Sequence, residues 1–157
     1  MIYVSSLANV AATVAATGAR HVVTAMSPQD PVVSFDGAHL DLRFHDVDWD
    51  MRPEYVPPTA DHIDRLIAFV RECPDDAPIV FHCFAGVARS TACAFTALCM
   101  RAHDRAEWEL ALAFRQVHPH ARPNTRVIEL ADRALNRGGR MRFAIGATGP
   151  VHLVAAI

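Results

Sequence analysis

Apolar positions along this chain follow two spacings, and the two alternate. Residues 2–4 open as a short strand-like run, and the alanine-rich residues 7–16 have helical propensity, with Gly18 placed to end that helix. Residues 21–25 are β-branched and apolar, a second strand, closed by the turn formers Ser27-Pro28-Gln29-Asp30-Pro31. Over residues 39–45 the pattern becomes strict alternation, with Leu40, Leu42 and Phe44 on one side and Asp41, Arg43 and His45 on the other, which predicts a strand packed on one face. Residues 45–58, HDVDWDMRPEYVPP, are charged, aromatic and proline-containing, a loop long enough to carry function.

Helical spacing then takes over. Thr59 can cap a helix with Asp61 in its first turn, and Ile63, Leu66, Ile67 and Val70 recur at i, i+3, i+4 and i+7 until Cys73-Pro74. Residues 78–82, PIVFH, are almost wholly apolar, as expected of a central strand covered on both faces. After a loop over residues 83–89, residues 90–101 read as a helix with Ala94, Leu98 and Met100 apolar. Asp104 with Glu107 looks like a capping box for a further helix whose inward stripe is Leu110, Ala113, Phe114 and Val117. Pro123-Asn124 starts another, with Val127, Leu130, Ala131 and Ala134 inward and Gly138-Gly139 at its end. The tail, residues 141–157, is apolar and glycine-broken and receives no assignment. Strands alternating with helices, followed by a run of helices, predict an α/β fold: a central mixed or parallel sheet of about four to five strands flanked by helices.

Composition narrows this picture without redirecting it. At 157 residues, 52% apolar and 20% charged, the chain is the size of one domain with an ordinary core, so residues 1–157 are read as a single unit. A formal charge of -2 gives no reason to expect nucleic acid or a membrane surface as partner. The four arginines among residues 133–142 read as a solvated helix end. The first 19 residues lack a basic segment and are interrupted by Ser5, Ser6, Asn9, Thr13 and Thr17, so they are read as structure rather than as a secretion signal. The cysteines, Cys73, Cys83, Cys93 and Cys99, show neither C-x-x-C pairing nor zinc-type clustering with histidine, and are expected to be free thiols in the cytoplasm.

The chemistry concentrates in HCFAGVARST, residues 82–91. A strand running through a tight loop into a helix turns successive backbone N–H groups toward the helix N-terminus, where an anion is favoured. Phe84, Ala85, Gly86, Val87 and Ala88 can curl around one phosphate-sized group, Gly86 supplying the backbone freedom and Arg89 a planar fork for two oxygens. The helix N-terminus and Arg89 should together lower the Cys83 thiol and make it a nucleophile. Ser90 can donate a hydrogen bond to the sulfur, and His82 is read as a buried group orienting the loop through its backbone carbonyls.

His82-Cys83, Gly86, Arg89 and Ser90 resemble the H-C-x-x-G-x-x-R-[S/T] signature of the cysteine-dependent protein tyrosine phosphatases, in the compact dual-specificity-like form that includes bacterial tyrosine phosphatases. The opening strand–helix–strand and the Pro-Asn helix start of RPNTRVIEL are also similar to that family, so the resemblance extends over residues 2–136. It implies a phosphomonoester hydrolase working without metal or other cofactor through a cysteinyl-phosphate. An upstream aspartate protonates the leaving oxygen and then activates water. Three aspartates compete for that role. Asp46 directly follows the alternating strand, Asp50 follows Trp49 at a more usual distance from Cys83, and Asp48 lies between them. Because Phe84, Ala85, Val87 and Ala88 are all non-basic, a polyanionic substrate is disfavoured, and a phosphorylated protein or small aryl phosphate is expected. Trp49 and Tyr55 could wall a ring or simply pack the loop down. Two rival readings stand beside the phosphatase: a rhodanese-like sulfurtransferase or arsenate reductase, which needs no upstream acid, and a phosphate-binding pseudophosphatase.

Overall fold

A computed structural model describes residues 1–49 and 52–149. In chain order the elements are β1 (Ile2–Ser6), α1 (Val10–Thr17), β2 (His21–Met26), β3 (Ala38–Arg43), α2 (Ala60–Glu72), β4 (Ile79–Cys83), α3 (Arg89–Arg101), α4 (Glu107–Val117), α5 (Thr125–Ala134) and α6 (Arg140–Ala147). The four strands form one sheet in the order β1-β4-β2-β3. Every pairing is parallel, with Ile2 and His21 both in register with Ile79. The expected sheet is therefore present, with four strands and no antiparallel member among the described residues.

Strand alternation divides the core in two. Tyr3, Val22 and Val80 lie on one face, where Val10 and Val14 of α1 and Ala19 cover them. Val23, Ile79 and Phe81 lie on the other, under α2 to α6. β4 is buried at all five positions because strands and helices enclose it from every side. α3 packs against β4, β1 and β2 on one side and α2, α4 and α5 on the other. Its small residues Ala92, Cys93, Ala94, Thr96 and Ala97 permit that close approach, and Phe95 fills the space between layers. In α2 the periodic residues Ile63, Leu66, Ile67 and Val70 are the buried ones, and Thr59 closes a capping box with His62.

Several helix assignments need correction. α1 begins at Val10 rather than residue 7, since residues 7–9 form a turn after β1. α4 has Ala106 at its N-cap, with no side-chain cap, and buries Glu107, Leu110, Ala111 and Phe114. Val117 is 72% exposed, so the inward stripe is rotated from the one expected. The reason is Glu107, which accepts from Arg137 and Arg140, each at 3.0 Å, and is buried as the ionic hinge between α4 and the start of α6 rather than used as a cap. α5 starts at Asn124 as expected, but Ile128 and Asp132 are buried with Val127 and Ala131, while Ala134 is exposed. Gly138 and Gly139 do more than end α5. Gly139 precedes α6 with φ +88°, and Asp132 accepts from the Gly139 and Met141 amides at 2.6 and 2.8 Å, fastening the turn. The tail thus begins as a helix; residues 150–157 lie outside the described residues.

Candidate active site

In a parallel sheet the carboxyl ends of all strands emerge at one edge, where ligand sites of open α/β folds form. Here that edge gathers the ends of β1 and β2, the segment after β3 and the loop after β4. A cavity of about 910 Å³ opens there, lined among others by Ser27, Asp30, Asp46, Cys83, Arg89 and Asn124.

The loop between β4 and α3 is held by its carbonyls. Phe84 O accepts from Leu7 N at 3.1 Å, Val87 O from Arg122 N at 2.9 Å and Ala88 O from Asn124 N at 3.2 Å. Those three carbonyls are tied to neighbouring segments, while the amides of Gly86, Val87 and Ser90 turn to the Cys83 sulfur. Gly86 has φ +74°, and a Cβ there would meet the Ser5 carbonyl and Ser6 nitrogen at 3.0 Å, so both conformation and space demand glycine.

Cys83 is buried at the cavity floor. Its sulfur lies 3.1 Å from Ser90 Oγ and accepts from Gly86 N at 3.2 Å. Burial by itself would raise this thiol, but the Ser90 hydroxyl and the backbone amides of Ser90, Gly86 and Val87 together hold it below its ordinary value. The backbone amides act as expected, led by the Ser90 hydroxyl, and the Arg89 charge is not among the leading influences. The other cysteines contrast with it. Burial pushes Cys93 and Cys99 up to about 12, and Cys73 ends α2 with its Sγ bonded to Phe69 O at 3.2 Å.

Arg89 is 7% exposed. It donates from Nη1 to Ser27 Oγ at 3.0 Å and to the Phe44 carbonyl at 3.2 Å, with Asp30 Oδ2 3.8 Å away. The turn-rich segment after β2 is therefore the arginine's anchor, a role the sequence reading missed by taking it only as a turn. Arg43 braces that segment in turn, donating to the carbonyls of Ser27, Asp30 and Pro31 while paired to Asp41 at 2.8 Å. The available clue was position: a loop following a parallel strand.

His82 is fully buried, as expected, and its Nε2 meets the Thr24 hydroxyl at 2.7 Å. Thr24 also meets His39 Nε2 at 2.7 Å. Burial first, and the neighbouring His39 second, lower His82 to about 4 and keep it neutral.

Of the three aspartates, Asp46 and Asp48 both line the cavity. Asp46 Oδ1 accepts from Asn124 Nδ2 at 2.9 Å, and Asp48 Oδ1 from Thr125 N at 3.1 Å. Asp50 lies outside the described residues. Trp49 is 66% exposed and is not part of the cavity lining, and Tyr55 packs on His45 at 4.9 Å between ring centroids. The aromatic side chain at the cavity is instead Phe84, 57% exposed. Among the described residues no group of three or more His, Cys, Asp or Glu could hold a metal ion, and no helix is long and apolar enough to cross a membrane.

Comparison with solved structures decides the fold. DUSP15 superposes with a TM-score of 0.64 at 18% identity, over 96% of this chain and 94% of that one. The chain has the dual-specificity phosphatase fold. The human tyrosine phosphatase-like serine/threonine/tyrosine-interacting protein gives a TM-score of 0.66 at 12% identity, covering 87% and 92%. PTPMT1, solved in complex with PI(5)P, gives 0.59 at 15%, covering 88% and 94%. A family model for PTP-like phytases, described by inositol hexakisphosphate, matches residues 52–101, from within the 45–58 loop through α3. The sequence matches no curated protein. Within this dual-specificity phosphatase fold, the Cys83 loop occupies the turn from the second strand of the sheet order into the central helix.

Proposed function

We propose that the chain is a cysteine-dependent phosphomonoester hydrolase acting on phosphotyrosine or similar aryl phosphates. The observation that carries this reading is the setting of Cys83: a thiol held low by a hydroxyl and backbone amides, at the floor of a cavity shared with Arg89 and an aspartate. In the first step the Cys83 thiolate attacks phosphorus and the bond to the leaving oxygen breaks, that oxygen taking a proton from Asp46. Loop amides over residues 84–88 and Arg89 hold the equatorial oxygens, stabilising charge that develops in the transition state. In the second step water attacks phosphorus, its proton passes to the Asp46 carboxylate, the P–S bond breaks, and Ser90 stabilises the departing thiolate. No metal enters either step.

Asp46 is favoured over Asp48 and Asp50 by its place. It stands two residues after Phe44, whose carbonyl binds Arg89, and its Oδ1 accepts from Asn124, which is itself tied to the Ala88 carbonyl of the phosphate loop, whereas Asp48 Oδ1 accepts from the Thr125 amide of α5. The neutral loop residues and exposed Phe84 favour an aryl substrate. The phytase-type match favours inositol phosphates as a second reading, and both are testable together. Four free thiols suit a reducing compartment, and we place the enzyme in the cytoplasm.

The test is hydrolysis of p-nitrophenyl phosphate, a phosphotyrosine peptide and inositol hexakisphosphate by wild type, Cys83→Ser, Asp46→Ala and Asp50→Ala. Cys83→Ser should abolish turnover, and Asp46→Ala should remove the alkaline fall of the pH–rate profile. Unimpaired Cys83→Ser activity would sink the proposal. Cyanide-dependent thiosulfate sulfurtransfer by wild type, with no phosphatase turnover, would move the site to the sulfurtransferase class.

A further inference from the structure

We infer that Asn124 is the positioning residue that couples the acid loop to the phosphate loop, an inference that rests on Asp46 being the general acid. Asn124 is 5% exposed, so its polar atoms need partners inside the protein. Three are in place. Its backbone N donates to the Ala88 carbonyl at 3.2 Å, fastening it to the phosphate loop. Its Oδ1 accepts from Val127 N at 3.0 Å as the N-cap of α5. Its Nδ2 donates to Asp46 Oδ1 at 2.9 Å and lies 3.4 Å from the Val47 carbonyl.

The cap fixes the amide's orientation. With Oδ1 committed to Val127, the NH2 group must face the acid loop, since an amide carries acceptor and donor on one planar group. Capping alone does not call for asparagine, because serine or aspartate caps a helix as well. What the amide adds is a donor to Asp46. Asp46 is exposed, and its carboxylate is otherwise free to rotate. A bond to Oδ1 leaves Oδ2 to meet the leaving oxygen, and proton transfer depends on that reach. Since the same residue holds Ala88, the acid's distance from the phosphate cradle is set through one side chain rather than through the whole loop.

The experiment compares Asn124→Ser and Asn124→Asp with wild type and Asp46→Ala. Each is assayed on p-nitrophenyl phosphate and on phenyl phosphate across pH, with urea unfolding alongside. Both Asn124 variants keep a capping oxygen, so Asn124→Ser should keep a urea midpoint near wild type, while Asn124→Asp should lose about 1.4 kcal/mol at neutral pH from the carboxylate set against Asp46. Asn124→Ser should lose about tenfold more kcat on phenyl phosphate, whose leaving group needs the proton, than on p-nitrophenyl phosphate. Asn124→Asp sets a carboxylate against Asp46 and should move the alkaline limb upward by about one pH unit. A leaving-group ratio and an alkaline limb unchanged in both variants, or an equal loss on both substrates, would reduce Asn124 to a cap and overturn the inference. If Asp46→Ala itself keeps the wild-type ratio and limb, the acid assignment fails and takes the inference with it. That result is recognised in the Asp46 arm alone.

Discussion

At Cys83 two effects oppose each other, and hydrogen bonding wins over burial. Cys93 makes the comparison internal: on α3, only ten residues along, it lacks the amide cradle and is pushed up to about 12. Iodoacetamide at neutral pH should therefore label Cys83 first, inorganic phosphate should protect it, and Cys93 and Cys99 should stay unlabelled in the native protein. Equal labelling of Cys73 would count against the site. Ser90→Ala removes the leading hydrogen bond holding the thiol low. The thiolate then forms at higher pH, so the rising limb of the pH–rate profile should shift upward, and breakdown of the cysteinyl-phosphate should slow in single-turnover kinetics. Gly86→Ala fails for a different reason. Its left-handed backbone costs a side chain about 1–2 kcal/mol, and the added carbon meets β1 backbone at 3.0 Å, which cannot swing aside as a side chain can. The variant should unfold at lower urea and bind vanadate more weakly.

Among the elements, those whose own residues decide their form were legible in sequence. The α2 stripe, the wholly buried β4 and the glycine-containing turn into α3 each carry a local signal, and each is where its residues place it. Where a partner distant in sequence decides, the local reading erred. Glu107 has the spacing of a cap residue, but Arg137 and Arg140, thirty and more residues later, draw it inside. Ser27 and Asp30 have the composition of a turn, and nothing in that composition tells that β2 lies beside β4 and so delivers them to Arg89. The 45–58 loop is read only in part for the same reason: Asp46 is fixed by Asn124, 78 positions away. The 27–31 segment offers a test at this scale. Arg43 holds its carbonyls from β3 and is not part of the cavity lining. Arg43→Met should raise KM for p-nitrophenyl phosphate severalfold by loosening Arg89, with the pH limbs unmoved because neither Cys83 nor Asp46 is touched. An unchanged KM would show that Ser27 and Phe44 suffice.

Taken as a whole, the molecule places its candidate site at the edge of a sheet whose interior holds a neutral histidine, and this couples pH to stability. The Thr24 hydroxyl has one hydrogen to share between His39 and His82, so at least one ring must present its own N–H to the oxygen. Protonating His82 would strand a charge in the core. Its pKa falls from the ordinary histidine value of about 6.5 to about 4 on folding, so between those values the unfolded chain binds the extra proton. Stability must then decline as pH falls from about 6.5 toward 4 and level off below. At 1.36 kcal/mol for each unit the loss is about 3 kcal/mol, large beside a typical total of roughly 5–15 kcal/mol. Burial lowers His39, His62 and His118 as well, which adds in the same direction. Glu107 follows at lower pH. Burial alone would raise it, but its bonds from Arg140 and Arg137 hold it low, so its contribution is present above the ordinary carboxylate range and lost as pH drops through its folded value. Urea midpoints measured from pH 7.5 to 4.5 should fall steeply from about 6.5 downward. His82→Gln, which keeps a group able to reach Thr24 but cannot titrate, should flatten that slope even if it lowers the midpoint at pH 7.5. A slope as steep in the variant as in wild type would assign the acid sensitivity to the remaining histidines and remove His82 from the account.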